Sequence, residues 1–87
     1  MRIWKYTLAI TDRQTVEMPA GSRLLTVQMQ GEHPQLWALC EETNFLIPRQ
    51  IAIYGTGNQM PDEPGHYIAT FQSLGGALVW HVFELED

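Results

Sequence analysis

One thiol, three imidazoles, a glycine-rich turn and an acidic pair are the features of this chain whose types could do chemistry. Cys40 would act as a nucleophile only with a base beside it, such as His33, His66 or His81, and with positive charge to favour the thiolate. It lies instead in an apolar run followed by Glu41 and Glu42, whose charge opposes a thiolate, so an inert core cysteine is expected. The histidines stand 33 and 15 residues apart and show none of the i, i+2 or i, i+4 spacings of local metal motifs. A metal site would have to assemble through the fold, and His81, between Trp80 and Val82, reads as a hydrogen-bonded structural histidine. Gly55-Thr56-Gly57-Asn58 could offer backbone N–H groups to an anion, yet it lacks the further glycines and the lysine of a phosphate-binding loop. Asp62 and Glu63 are adjacent in an extended loop and point apart, which suits a solvated tip better than acid–base work. No catalytic residue, metal ligand or cofactor is expected.

The elements that must position these residues are strands. Trp4, Tyr6, Leu8 and Ile10 alternate with smaller or polar residues, which places four apolar groups on one face. Gln14 to Met18 reads as a short extended stretch, and Pro19-Ala20-Gly21-Ser22 as a turn leading by a hairpin into the strand of Leu25, Val27 and Met29. Gln35 to Cys40 is the antiparallel partner of that strand. With Leu36, Ala38 and Cys40 on one side and Trp37 and Leu39 on the other, it is apolar on both faces. Glu41 to Arg49 reads as a connection, because Pro48 breaks a ladder. Gln50 to Tyr54 is a strand, Gly55 to Gly65 a long loop of the kind that is often functional, and His66 to Gln72 a strand with Tyr67, Ala69 and Phe71 on one side. Ser73-Leu74-Gly75-Gly76 is a hairpin turn, and Ala77 to Leu85 a last strand that is again apolar on both faces. No window has a helical period. The expected fold is all-β, a small antiparallel sheet or partly open barrel of six to seven short strands forming one domain over residues 1–87.

Composition sets the outer limits. Of 87 residues, 45% are hydrophobic and 17% charged, which is enough apolar mass to fold. A chain of this size buries only about two-thirds of its unfolded surface, so a homo-oligomer is expected to add burial. Five basic against ten acidic side chains, net −5, argue against direct nucleic-acid binding. Residues 41–87 hold one basic and seven acidic groups, among them Glu84, Glu86 and Asp87. A single cysteine fits a reducing compartment, and neither a signal sequence nor a membrane-spanning run is visible. Two strands apolar on both faces are more than so small a domain can cover. An exposed contact surface with Trp37 or Trp80, bordered by Asp62, Glu63 and Glu84, is therefore expected.

Val16-Glu17-Met18-Pro19-Ala20-Gly21, Leu36-Trp37-Ala38-Leu39, Gly55-Thr56-Gly57 and the run from Gly75 to Glu84, ending His81-Val82-Phe83-Glu84, carry a resemblance. The chain resembles, over nearly its whole length, a family of very small proteins of unknown function encoded by bacteriophages and prophages. In that family a histidine often follows Gly-Thr-Gly; Asn58 stands there in this chain, so no metal or acid–base role carries over to the loop. The resemblance implies an accessory protein acting in the host cytoplasm, and supplies no activity. The resulting expectation is a non-enzymatic protein that binds and inhibits or redirects a host protein, including a factor of antiviral defence. The alternative is a sponge for a nucleotide signal, with Gly55, Thr56, Gly57 and Asn58 closing over a small ligand at an oligomer interface.

Overall fold

The computed structural model describes residues 1–86. Seven strands appear in the order β1 (Arg2–Thr7), β2 (Arg13–Pro19), β3 (Arg23–Gln30), β4 (His33–Cys40), β5 (Leu46–Gly55), β6 (His66–Ser73) and β7 (Leu78–Glu84), with a single 3-10 turn at Leu74–Gly76. They form two antiparallel sheets, β1-β4-β3 and β2-β5-β7-β6, which do not close into a barrel. The fold is all-β. The two strands read as apolar on both faces, β4 and β7, are the interior strands of their sheets, and their outward residues Trp37, Leu39, Val79 and Phe83 are half-buried.

The sheets enclose one core. Leu36, Ala38 and Cys40 of β4 and Val27 of β3 meet Val16 and Met18 of β2, Ile51 and Ile53 of β5, Ala69 and Phe71 of β6, and Val82 of β7. Leu8, just past β1, closes one end of it. Strands β3 and β6 lie side by side, so the sheets meet along that edge. Cys40 is fully buried, with its Sγ 3.6 Å from the Ala38 carbonyl and 3.9 Å from the Tyr6 hydroxyl.

Five local expectations need correction. Strands β2 and β3 form no hairpin, for β2 pairs with β5 and β3 with β4. Pro19-Ala20-Gly21-Ser22 does turn, with the Ser22 N–H and hydroxyl both donating to the Pro19 carbonyl, and it carries the chain from one sheet to the other. Pro48 lies inside β5, opposite Glu17, instead of ending a connection. The Gln50 carbonyl accepts from Leu85 N–H, so even-numbered residues of β5 aim their polar backbone toward β7. Pairing with β7 begins only at Ile51, and the N–H that Pro48 lacks therefore has no partner to lose. Bulges shift two face assignments: between Leu24 and Thr26, leaving Leu25 40% exposed, and between Tyr67 and Ala69, moving Tyr67 off the core face. Ile10 falls beyond the end of β1 and is exposed.

One ion pair sits on the inner face. Val16 is paired with Arg49 and Ile51 with Glu84, which puts both charges on the side of the sheet that carries the core. The Arg49 guanidinium donates from Nε and Nη2 to the two Glu84 carboxylate oxygens, the second at 2.9 Å, and from Nη1 to the Ser22 carbonyl at 2.9 Å. The side chains are 18% and 19% exposed. Hydrogen bonding to Glu84 raises the Arg49 pKa, outweighing the burial that lowers it. Removing one partner strands the other charge at the edge of the core, whereas removing both leaves none. Glu84→Leu and Arg49→Met are each expected to cost about 2 kcal/mol, a value reduced for partial solvation, and the double variant less than their sum. Urea unfolding of the three variants checks this, and strictly additive losses would refute the coupling.

Tyr6 supplies a pH-dependent term. Burial, reinforced by the hydrogen bond to Cys40, pushes its phenol from 10.0 up to about 12. The folded state thus holds the proton more tightly than the unfolded chain. Its contribution is complete below pH 10 and is lost as pH rises from there toward 12. Tyr6→Phe is expected to flatten the alkaline limb of a stability–pH curve, read against phenolate absorbance in the wild type.

Candidate functional site

The outer face of the four-stranded sheet gathers hydroxyls, an imidazole and aromatic rings into one cluster. Register places Tyr54, His81 and Thr70 in one row across β5, β7 and β6, and Ala52, Phe83 and Tyr67 in the next. The Phe83 ring takes edge contacts from both tyrosines, with centroids 5.9 Å from Tyr54 and 5.6 Å from Tyr67. Tyr67 is 60% exposed, so the cluster opens to solvent on the β6 side.

Both nitrogens of His81 are occupied. Nε2 lies 2.7 Å from the Thr56 hydroxyl, Nδ1 lies 3.0 Å from the Thr70 hydroxyl, and Thr70 lies 2.7 Å from the Tyr67 hydroxyl. Thr56 also donates to the Val79 carbonyl at 3.3 Å, which leaves its oxygen to accept from Nε2–H. With Nδ1 as an acceptor, Thr70 O–H donates to it and Tyr67 O–H donates to Thr70, which is the arrangement of the Nε2–H tautomer. An imidazole beside a hydroxyl has the outline of a base and nucleophile, but here a neutral threonine, not a carboxylate, holds the far nitrogen. The network fixes side-chain positions on an aromatic surface.

The loop after β5 borders this cluster. Asn58 N–H donates to the Gly55 carbonyl, closing a tight turn with Gly57 at φ +88°, a backbone region that a side chain disfavours. A Cβ on Gly55 would stand 3.3 Å from the Trp80 ring and 3.0 Å from the Asn58 amide, so the turn rests directly on Trp80. The loop returns through Gly65, where a Cβ would fall 2.2 Å from the Glu84 carbonyl oxygen. Beneath the loop are two clefts that share Arg13 and Pro61. One, of about 250 Å³, is lined also by Glu63, Gly65, Leu85 and Glu86; the other, of about 300 Å³, by Asp12, Tyr54, Asn58 and Gln59. The Tyr54 hydroxyl is enclosed and has no hydrogen-bond partner among the described residues.

The structure brings Gly55, Thr56, Gly57 and Asn58 together with His81, and it separates the residues named for a single contact surface. Trp37 is half-buried on the outer face of the other sheet, with the Lys5 ammonium 5.7 Å from its ring centre. Trp80 points inward, packs against the core and donates to the Ser73 hydroxyl at 3.0 Å. Glu84 is held by Arg49, while Asp62 and Glu63 are exposed on the loop. Asp87 lies outside the described residues. His66 pairs with Glu86 at 2.5 Å, and His33 is exposed at the start of β4. Among the described residues, no three His, Cys, Asp or Glu side chains converge as metal ligands would. Tyr54, Tyr67, Thr70 and Phe83 were not singled out by sequence. A signal for Thr70 existed, because counting outward from the turn pairs Ser73 with Leu78 and hence Thr70 with His81.

The chain belongs to DUF7352, a domain of unknown function whose family model matches residues 1–87. No curated protein and no solved structure matches it. Among the described residues, no helix is long and apolar enough to cross a membrane.

The hydrogen-bond chain makes a sharp spectroscopic prediction. Thr70→Val keeps the shape of residue 70 and removes the only hydroxyl bonded to Nδ1 in the network. The wild-type imidazole is expected to show ¹⁵N shifts of the Nε2–H tautomer, and the variant a mixture of tautomers. A wild-type spectrum with Nδ1 protonated would reverse the direction assigned here.

Proposed function

We propose that the protein is a non-enzymatic binding module that docks on another protein through the outer face of its four-stranded sheet, as an accessory factor of bacteriophage type that blocks or redirects a host protein. The observation that carries this reading is the Tyr54–Phe83–Tyr67 cluster, open to solvent at Tyr67 and braced by the chain from Tyr67 to Thr56. Tyrosine-rich surfaces give large contact area at small entropic cost, and side chains already fixed by neighbours lose little freedom on binding. The resemblance to small phage-encoded proteins and an acidic character that suits a basic partner support the same reading, and we place its action in the host cytoplasm. Action against a factor of antiviral defence is the form of it that we favour.

A second reading has its own observation. The cleft of about 300 Å³ lined by Tyr54, Asn58 and Gln59 has room for part of a small polar ligand such as a nucleotide, and the two side-chain amides offer both donors and acceptors.

Native mass spectrometry of the protein purified from its host tests both. Retention of a protein partner by wild type, with at least a tenfold loss in Tyr67→Arg, is expected for the docking reading. A reproducible added mass of a few hundred daltons, unaffected by Tyr67→Arg, would replace it with the ligand reading. A protein that carries neither would defeat both.

A further inference from the structure

A second surface, distinct from the aromatic cluster, lies on the outer face of the three-stranded sheet. Its rows are Ile3, Leu39 and Arg23, then Lys5, Trp37 and Thr26. Ile3 is 59% exposed, the bulged Leu25 stands 40% exposed on β3, and Trp37 and Leu39 are half-buried. These two rows contain two cations and no carboxylate. Lys5 lies over the Trp37 ring and donates to the neutral Gln30 amide, and neither Lys5 nor Arg23 forms an ion pair among the described residues. Glu41 and Glu42, which follow β4, are already engaged by the Met1 ammonium, and Glu42 also by Arg2.

The opposite chemistry is presented by the loop after β5. Met60-Pro61-Asp62-Glu63-Pro64 exposes a thioether and two carboxylates, and Asp62 and Glu63 likewise form no ion pair among the described residues. Two prolines restrict its backbone, so little entropy is lost when it is gripped. One surface is apolar and cationic, and the other is apolar and anionic.

We infer that the occupant of the Ile3–Trp37–Leu39 face is the Met60–Pro64 loop of a second copy of this chain. Met60 lies against Trp37 and Ile3, where its sulfur suits an aromatic neighbour, and Asp62 and Glu63 meet Lys5 and Arg23. The two surfaces differ, so the contact is head-to-tail; it closes as a ring, or as a dimer if both contacts form reciprocally. This assembly leaves the Tyr54–Phe83–Tyr67 cluster outside the contact, and stands or falls separately from the function proposed for that cluster.

Charge reversal on each side tests it by sedimentation. Wild type is expected to assemble in a concentration-dependent way and to weaken with added salt. Lys5→Glu/Arg23→Glu sets an acidic face against an acidic loop, and Asp62→Lys/Glu63→Lys sets a basic loop against a basic face. Each variant alone is expected to sediment as a monomer, with self-association weakened at least about 100-fold. An equimolar mixture of the two forms both contacts with opposite charges in alternation, and is expected to reassemble, at the wild-type size where the number of subunits is even. Circular dichroism of each variant confirms that it is folded. A wild type that stays monomeric at its highest soluble concentration, variants that assemble as wild type does, or a mixture that stays monomeric would each overturn the inference.

Discussion

The fold turns on a charged contact inside an apolar sandwich, the fork of Arg49 on Glu84 and the Ser22 carbonyl. It ties β5 and the end of β7 to the turn by which the chain leaves one sheet for the other. An ion pair on the inner face is a weak source of net stability, because its desolvation offsets much of the attraction. What it contributes is position. Only one register of β5 against β7 lets the guanidinium reach both carboxylate oxygens, and a slip of one residue would send Arg49 to the outer face. The same register aligns Tyr54 with His81, so the candidate binding face inherits its geometry from a contact on the other side of the sheet.

The loop from Thr56 to Gly65 is held at both ends by close approaches, Gly55 on the Trp80 ring and Gly65 on the Glu84 carbonyl, the second of which glycine alone permits. Trp80 therefore serves as the floor of the loop. Its indole is anchored by Ser73, across the hairpin from Leu78. A residue that looks like an exposed contact aromatic in the linear sequence thus acts through what it supports. Contact with solvent falls instead to Tyr67, which a bulge turns outward.

How much could be read in advance differs from element to element, for physical reasons. Strands declared themselves by alternation, and the β3–β4 and β6–β7 hairpins by their glycine turns, because both signals are local. The partner of β2 was hidden, since pairing with β5 is decided by shared burial of Val16, Met18, Ile51 and Ile53 across a long stretch of chain. Pro48 misled because a rule about ladders depends on which neighbour a strand has at that point. Leu25 and Tyr67 were assigned to the wrong face because a bulge resets parity and leaves no mark in composition. The Thr56, Gly57 and Asn58 turn was legible as a feature, and its link to His81 needed the register of two strands. Glu84 looked like one more acid of a charged tail until Arg49 was found opposite it.

The turn at Pro19–Ser22 also bears on how the chain reaches this state. Because it crosses between sheets, only β3–β4 and β6–β7 can zip from adjacent residues, while β1 waits for β4, and β2 and β7 must both find β5. Every such closure spends chain entropy before its contacts form, which places the protein among domains that fold in about milliseconds to seconds. During that interval the edges of β1 and β2 are bare, and Arg2, Lys5, Arg13 and Glu17 on those strands are the charges that keep unfinished copies from pairing with one another.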